Sequence, residues 1–405
     1  MVSACQFLSG FGSPVDSLLF EINLKMGCDC PYIVLCCLSQ ASEFEINIMN
    51  DDLVSALALT RLAKSILKAL GAPESTAERV AKSLVESDRR GSSTHGLSLL
   101  PLYAEMVNTG ATDPSAEPEV EAISGAMARV RGNHAFGQLS GALAVESGLE
   151  LLPAAGISSV VVADGAHLGR LGEWAELACE SGAAMLAFTN TSGGALNVAG
   201  PGSAERVLST NPVAIGIPSF GSLDHHVVVD FASSQVSGSR IRETINAGKA
   251  IDPDWVCVGN DAPPDLAEAF LGGYAALQPL GGNTAGHKGF GLMVAAELLA
   301  AMAGGAIAGE RDKPGFSNAA LFCFIDVDRF INREQWGVRL RAFRDYLSTK
   351  GCRLPGAGKN QNRESDEFNL AQHTVDGLLS VAQSLGINNG EFRSTSAAVQ
   401  LTQTW

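Results

Sequence analysis

The chain has 405 residues, 46% of them hydrophobic, enough to bury a sizeable core and to divide into two or three domains. Its formal net charge is −15, from 28 Lys+Arg against 43 Asp+Glu, which argues against a nucleic-acid binder because a phosphate backbone demands a concentrated basic patch. A run of about 18 apolar residues, the signature of a membrane span, is missing from the sequence.

Residues 1–48 carry five of the nine cysteines and little periodicity. Cys28-x-Cys30 and Cys36-Cys37 do not have the spacing of a structural zinc site. The N-terminus lacks the basic start of a secretory signal and the Arg-rich character of a transit peptide, so a reduced, cytosolic setting is expected. Helical patterning begins after Met49-Asn50-Asp51-Asp52, so residues 1–48 read as an atypical extension ahead of a natural start at Met49.

From Leu53 to Leu70 apolar residues recur at helical spacing (Leu57, Leu62, Ile66, Leu67, Leu70), and Gly71 supplies the stop. Ser75-Thr76-Ala77-Glu78 has the form of a capping box opening a second helix, with Val80, Leu84 and Val85 inward. That helix runs out at Arg90-Gly91, and Leu99, Leu102, Tyr103 and Met106 pattern a third, ended by Gly110. Between them lies Gly91-Ser92-Ser93-Thr94-His95-Gly96, a polar turn with one titratable group beside a glycine that lets a ligand come close. The turn is either a candidate site or an exposed helix–helix loop.

Beyond residue 156 the character changes. Ile157–Ala163, Ala184–Asn190, Val213–Ile217, His226–Asp230 and Leu321–Val327 are short apolar runs that read as buried strands, with a helix over Leu171–Ser181. Strands alternating with helices imply an α/β domain whose sheet is covered on both faces. Helical stretches at Gln335–Leu347 and Val375–Leu385 close the chain. The expected organisation is a helical domain over 49–125, an α/β domain over 126–330, and C-terminal helices over 331–405 packing back on the first domain.

No G-x-G-x-x-G follows a strand with an acidic residue about 20 positions later, so the usual dinucleotide fingerprint is missing. The densest glycine cluster, Gly281-Gly282-Asn283-Thr284-Ala285-Gly286-His287-Lys288-Gly289-Phe290-Gly291, feeds into an apolar helix over Leu292–Met302. A glycine-rich turn at a helix N-terminus offers N–H groups and a positive dipole end, and Lys288 adds a charge, a combination that favours a phosphate. It is not a P-loop, since no Ser or Thr follows the lysine. His167, Asn190 and Asp230 fall near strand ends, where α/β sites form, and Asp230 can orient a histidine or simply cap a helix. His225 and His226 lack helically spaced partners, so no metal site is expected.

Together these pieces have an order. Ser93-Thr94-His95-Gly96, Ala135-Phe136-Gly137-Gln138, His167-Leu168-Gly169-Arg170-Leu171-Gly172, Thr189-Asn190, Thr210-Asn211-Pro212, Asp230-Phe231-Ala232-Ser233-Ser234, Pro279–Leu292 and Arg353-Leu354-Pro355-Gly356 recur in sequence over some 300 residues. On them the chain from Leu53 to Gly356 resembles the malate/L-lactate dehydrogenase type 2 family (lactate/malate/ureidoglycolate/sulfolactate dehydrogenase-like). The resemblance implies an NAD- or NADP-binding mixed sheet that is not Rossmann, a homodimer, and reduction of 2-oxo acids or cyclic imino acids. It implies that His95 donates the proton to the substrate oxygen, that Asp230 orients it, and that Thr94 and His167 face the substrate. It places Asn190, Thr210, Asn211, Val229, Asp230, Gly282, His287, Lys288, Gly289 and the Gly356–Lys359 stretch at the cofactor.

Several positions depart from the family pattern. Thr94 stands where many members have Ser, Leu99 where many have an Arg suited to grip a carboxylate, and Ser239-Arg240 where Gly-Lys is frequent. Asn283–Gly286 looks like an insertion into the glycine loop. The loss of the Arg together with the His-Leu-Gly-Arg-Leu-Gly motif is similar to the hydroxycarboxylate dehydrogenase B branch. Arg170 is then the candidate for the substrate carboxylate, with Leu99 making that end of the pocket apolar; the alternative is that Arg170 pairs with Glu173 or Glu176 on its own helix. A 2-oxo acid reductase, a cyclic imino acid reductase and a non-catalytic nucleotide binder are the competing functions.

Overall fold

A computed structural model of the chain describes residues 53–310, 317–357 and 367–387; the readings made for residues 1–48, Met49 and Lys359 lie outside them. The described chain begins with a short strand, β1 (Leu53–Ser55), and turns into helix α1 (Ala56–Ala69), where Ser55 accepts the Ala58 N–H as its cap. Helix α2 (Glu74–Arg89) starts one residue ahead of the expected capping box, with Pro73 at its cap position and no side-chain cap. Proline's locked φ suits that position, and Ser75 consequently falls inside the first turn. Glu74 instead reaches across to Lys64 (2.5 Å) and Lys68 (2.7 Å) of α1. Leu59, Leu62, Ile66 and Leu67 of α1 close on Val80, Ala81 and Leu84 of α2, and helix α3 (Leu100–Asn108) adds Leu100, Tyr103 and Met106. Leu57, expected inward, is 54% exposed, because helical spacing alone does not say which stripe is covered.

The chain then forms the hairpin β2 (Glu119–Ser124) and β3 (Met127–Arg131), helix α4 (Gly137–Ala155), β4 (Ile157–Gly165), α5 (Leu171–Glu180) and β5 (Ala183–Asn190). Next come β6 (Val198–Ala199), β7 (Arg206–Leu208), β8 (Val213–Ile217) and β9 (Val227–Phe231). Helix α6 (Gly238–Asn246), β10 (Val256–Val258), α7 (Leu266–Leu271) and β11 (Ala275–Leu277) follow. Helix α8 (Gly282–Ala301), β12 (Asn318–Asp326), α9 (Arg333–Thr349), β13 (Glu367–Asn369) and α10 (Gln372–Ser384) complete the order.

The main sheet has seven strands in the order β2-β3-β4-β12-β5-β8-β9, and only β3 and β4, joined through α4, run parallel. It is covered on both faces. Val160, Val162, Phe322 and Phe324 pack under α4 and α5, while Val161, Ala163, Ala319 and Leu321 turn to the other side, toward Leu299 of α8. A four-stranded sheet, β10-β11-β6-β7, packs with α6, α7 and Met293 of α8 around a separate cluster. Strand β13 pairs antiparallel with β1, and Leu378 and Ala382 of α10 join the core of the N-terminal helices. Helix α9 lies elsewhere: its Leu340 packs on Leu223 and Val227 at the β9 edge of the main sheet.

The glycine cluster corrects the reading of a loop. Residues 282–291 are the first half of α8, with Gly281 (φ +97) at its cap and Gly282 (φ +53) as its first residue. Here glycine serves packing: a Cβ on Gly289 would stand 2.2 Å from the Leu280 carbonyl oxygen. Gly291, by contrast, has nothing within 4 Å of that point. Gly289→Ala is therefore expected to destabilise by about 1–3 kcal/mol, and Gly291→Ala to be neutral or stabilising by up to ~1 kcal/mol; denaturant unfolding of the two variants checks the contrast.

Candidate active site

After α2 the chain folds back through two 3₁₀ turns, Ser93–His95 and Leu97–Leu99. Gly91 (φ +69) makes the reversal in a region that disfavours side chains. Gly96 is needed for room instead. Its backbone is ordinary (φ −96, ψ −151), but the Asp88 carboxyl atoms lie 2.3–2.4 Å from where a Cβ would stand. Asp88 Oδ2 accepts the Leu97 N–H at 2.7 Å, so this carboxyl anchors the turn from the end of α2. Burial pushes the Asp88 pKa up to about 7, partly opposed by that N–H and reinforced by the charge of Glu243.

His95 is half-buried, with Nδ1 3.0 Å from Thr94 Oγ1. Its ring stacks on His167, centroids 5.6 Å apart and planes at 23°. His167 lies in the loop between β4 and α5, which Asn318 pins by accepting the Leu168 N–H (2.9 Å) and donating to the Asn190 carbonyl (2.7 Å). Gln138 Nε2 donates to Tyr103 Oη (2.9 Å), leaving the tyrosine O–H to donate to His167 Nδ1, also 2.9 Å away. Burial drives the His167 pKa down to about 3, with the neighbouring His95 adding to the effect, so His167 is a neutral imidazole at physiological pH.

A second cluster adjoins the first. Arg170, 2% exposed, donates Nη1 and Nη2 to Glu176 at 3.0 and 2.7 Å, and Arg90 reaches the same carboxylate at 2.7 Å. Asp230 Oδ2 accepts the Gly172 N–H at 2.7 Å in the first turn of α5, and its charge is felt by Arg170.

Thr94, His95 and His167 thus come together as one group, and Asp230 and Arg170 as another. Four expectations are corrected in the process. Arg170 is committed to Glu176, the alternative partner on its own helix, so it is not presented to a substrate carboxylate. Leu99 is 9% exposed and packs in the core of the N-terminal helices instead of forming an apolar end of an open pocket. Asp230 serves the α5 N-terminus, where a carboxylate complements the helix dipole, while Nδ1 of His95 faces Thr94. Asn190 and Asn211 are fully buried, as buried amides must be when they hold a fold together. Asn190 Oδ1 accepts the Ser192 N–H, and Asn211 Nδ2 donates to the Met293 carbonyl (3.0 Å) and to Glu297 (2.8 Å).

Of the other cofactor candidates, Gly289 is buried against Leu280, while Thr210, Val229, Gly282 and Gly356 are half-buried. Thr284, His287, Lys288 and Gly291 form an exposed stripe on α8 at helical spacing. Lys288 lies six residues into α8 and Gly291 nine, so this charge and the open space at Gly291 stand on the helix flank, beyond the first turn.

The sequence profile of the malate/L-lactate dehydrogenase family matches residues 54–372. The chain belongs to that family. It is 30% identical to an L-lactate dehydrogenase of Cupriavidus necator over 82% of this chain and 98% of the relative. It is 27% identical to a (2R)-3-sulfolactate dehydrogenase (NADP(+)) of Chromohalobacter salexigens, over 82% and 98% respectively. The solved structure of a Δ1-piperideine-2-carboxylate reductase from Pseudomonas syringae pvar. tomato superposes with a TM-score of 0.71 at 25% identity, covering 82% of this chain and all of that one. The protein is therefore an NAD(P)-dependent dehydrogenase of the 2-hydroxy acid class. Among the described residues no helix is long and apolar enough to cross a membrane.

Asp88, Tyr103, Gln138 and Asn318 complete the site and were given no site role from sequence, whereas Glu176 was read as an alternative partner of Arg170 and is so paired. One signal was present for Asp88: an acid in the last turn of a helix opposes the dipole and calls for a local reason.

Two outcomes follow from the buried groups. Asp88 holds its proton more tightly folded than unfolded, so its contribution is full below pH 3.8 and is lost as pH rises through about 7. Thermal melts across that window should show a wild-type loss on the order of 2–4 kcal/mol that Asp88→Asn lacks. Arg170→Ala should cost about 3–5 kcal/mol of stability by leaving Glu176 undercompensated, read by denaturant unfolding; a selective rise in substrate KM without that loss would return Arg170 to the substrate.

Proposed function

We propose that this enzyme reversibly reduces 2-oxo acids to 2-hydroxy acids, with His95 as the proton donor to the substrate oxygen. The observation that carries this reading is the His95 imidazole, half-buried and stacked at 5.6 Å on the His167 ring. The reduced nicotinamide of NADH or NADPH, when bound, supplies the hydride; the α8 stripe of Thr284, His287 and Lys288 is the support for where its phosphates would be held. As the carbonyl carbon gains a hydride, its π electrons move to oxygen, and a proton from an imidazolium neutralises that charge. In the reverse direction the imidazole takes the proton back.

Thr94 suits both states of His95. Its hydroxyl can accept from a protonated Nδ1 or donate to a bare one. His167 contributes by staying neutral. Beside a second cation His95 would resist protonation; beside a neutral ring whose Nδ1 accepts from Tyr103, it keeps its capacity as an acid.

A second substrate class uses the same group. A cyclic imino acid places a C=N bond where the carbonyl lies, and the proton then goes to nitrogen. The likeness to the piperideine carboxylate reductase supports it. We take the protein as a cytosolic homodimer; the exposed apolar Leu298 on α8 and Met302 just past its end support the association.

Pyruvate, phenylpyruvate, oxaloacetate and a cyclic imino acid, each assayed with NADH and NADPH, discriminate these readings. His95→Asn should lower kcat by about 10²–10⁴-fold on every accepted substrate while nucleotide fluorescence still reports binding. Turnover that survives the change would remove His95 from the chemistry.

A further inference from the structure

The site needs a cation for the carboxylate that both substrate classes carry. Neither the positions that sequence pattern suggests nor Arg90 supplies it. Leu99 is core, Arg170 is 2% exposed on Glu176, and Arg90 is 8% exposed and shared between Glu86 (2.7 Å) and Glu176 (2.7 Å).

A different element reaches the catalytic turn. Helix α6, which belongs to the lobe of the four-stranded sheet through Ile241, meets the turn at Glu243, whose Oε1 accepts the Ser93 Oγ–H at 3.0 Å. One helical turn earlier on the same face is Arg240, whose Nη1 lies 3.6 Å from Glu243 Oε2. The Arg240 side chain is 60% exposed, against 16% for Glu243. A single carboxylate therefore separates this guanidinium from the turn that carries His95. At 3.6 Å the contact with Glu243 steers the guanidinium without using up its five donors.

We propose that Arg240 is the specificity-determining residue that binds the substrate carboxylate, aimed by Glu243 and replacing the arginine whose position Leu99 occupies. This rests on the proposed reaction at His95 but is indifferent to whether the reduced bond is C=O or C=N. A guanidinium matches a carboxylate with two parallel N–H donors, which fixes the 2-carbon as well as the charge. Glu243 then has two functions at once: it holds Ser93 through one oxygen and faces Arg240 with the other.

The test compares an acid with its neutral ester. The better substrate of pyruvate and phenylpyruvate, and its methyl ester, are assayed with wild type, Arg240→Gln, Arg240→Lys and Arg89→Gln. Wild type should prefer the acid; Arg240→Gln should raise KM for the acid roughly ten- to a hundredfold, leave the ester unchanged, and leave NADH and NADPH affinities by fluorescence intact. Arg240→Lys should restore part of the preference through charge without the fork. Equal losses on acid and ester, a weakened nucleotide affinity, or loss of preference in Arg89→Gln but not in Arg240→Gln would each overturn the assignment. Should wild type reduce no 2-oxo acid, the reaction proposed above fails by that result alone, and the same comparison with Δ1-piperideine-2-carboxylate and its ester decides Arg240 separately.

Discussion

A chain of alternating charges, buried but for its half-buried last member, sets the geometry on which the site depends. Arg90 at the end of α2, Glu176 and Arg170 on and before α5, and Asp230 at the end of β9 follow one another as plus, minus, plus, minus. Charges out of water are tolerated only when each has a partner, and losing one leaves its neighbour exposed to the full desolvation penalty. The chain consequently has one satisfactory arrangement. It fixes the residue from which the His95 turn departs against the helix that follows His167, and both against the last strand of the main sheet. Arg79 repeats the device nearby, pairing with Glu173 at 2.7 Å while its guanidinium lies over the Trp174 ring.

On that frame the histidine pair acquires different characters from nearly the same chemistry. His167 is sealed in, bonded to Tyr103 and kept neutral; His95 is half-buried, with a hydroxyl on one nitrogen. Environment, more than residue type, divides the labour between two imidazoles. Helix α8 packs against both sheets, Met293 in the cluster of the four-stranded sheet and Leu299 on the main sheet, and α6 of the same lobe reaches the His95 turn through Glu243.

Much of the fold was visible in the sequence where burial is one-sided. Val213–Ile217 is a strand as read, and α5, α9 and α10 fall within about three residues of their expected bounds. Helix α4 was not visible, because its buried face is made of Gly137, Gly141, Ala144 and Gly148 and shows no apolar stripe. Those glycines answer to partners distant in sequence: His167 O, the Trp174 ring and the Phe324 ring fill the space their side chains would take. The same logic hid the first half of α8, where glycine's poor helix propensity suggested a loop and close packing on Leu280 overrode it. At the site, His95 and Thr94 were legible because a lone histidine in a polar turn stands out. The fates of Arg170 and Leu99 were not, since whether an arginine meets a ligand or a glutamate is settled by what folds over it.

The contact between Asp88 and Gly96 has a consequence for how such a turn can change. Two positions eight residues apart share a single volume, and neither can be altered without regard to the other. A side chain at Gly96 is admissible only if residue 88 shrinks, and a shrunken residue 88 gives up the acceptor that holds Leu97. Substitution here can proceed only in pairs, with a third group recruited for the orphaned N–H. The histidine between them is thus guarded by packing: drift in the turn is opposed before it reaches His95.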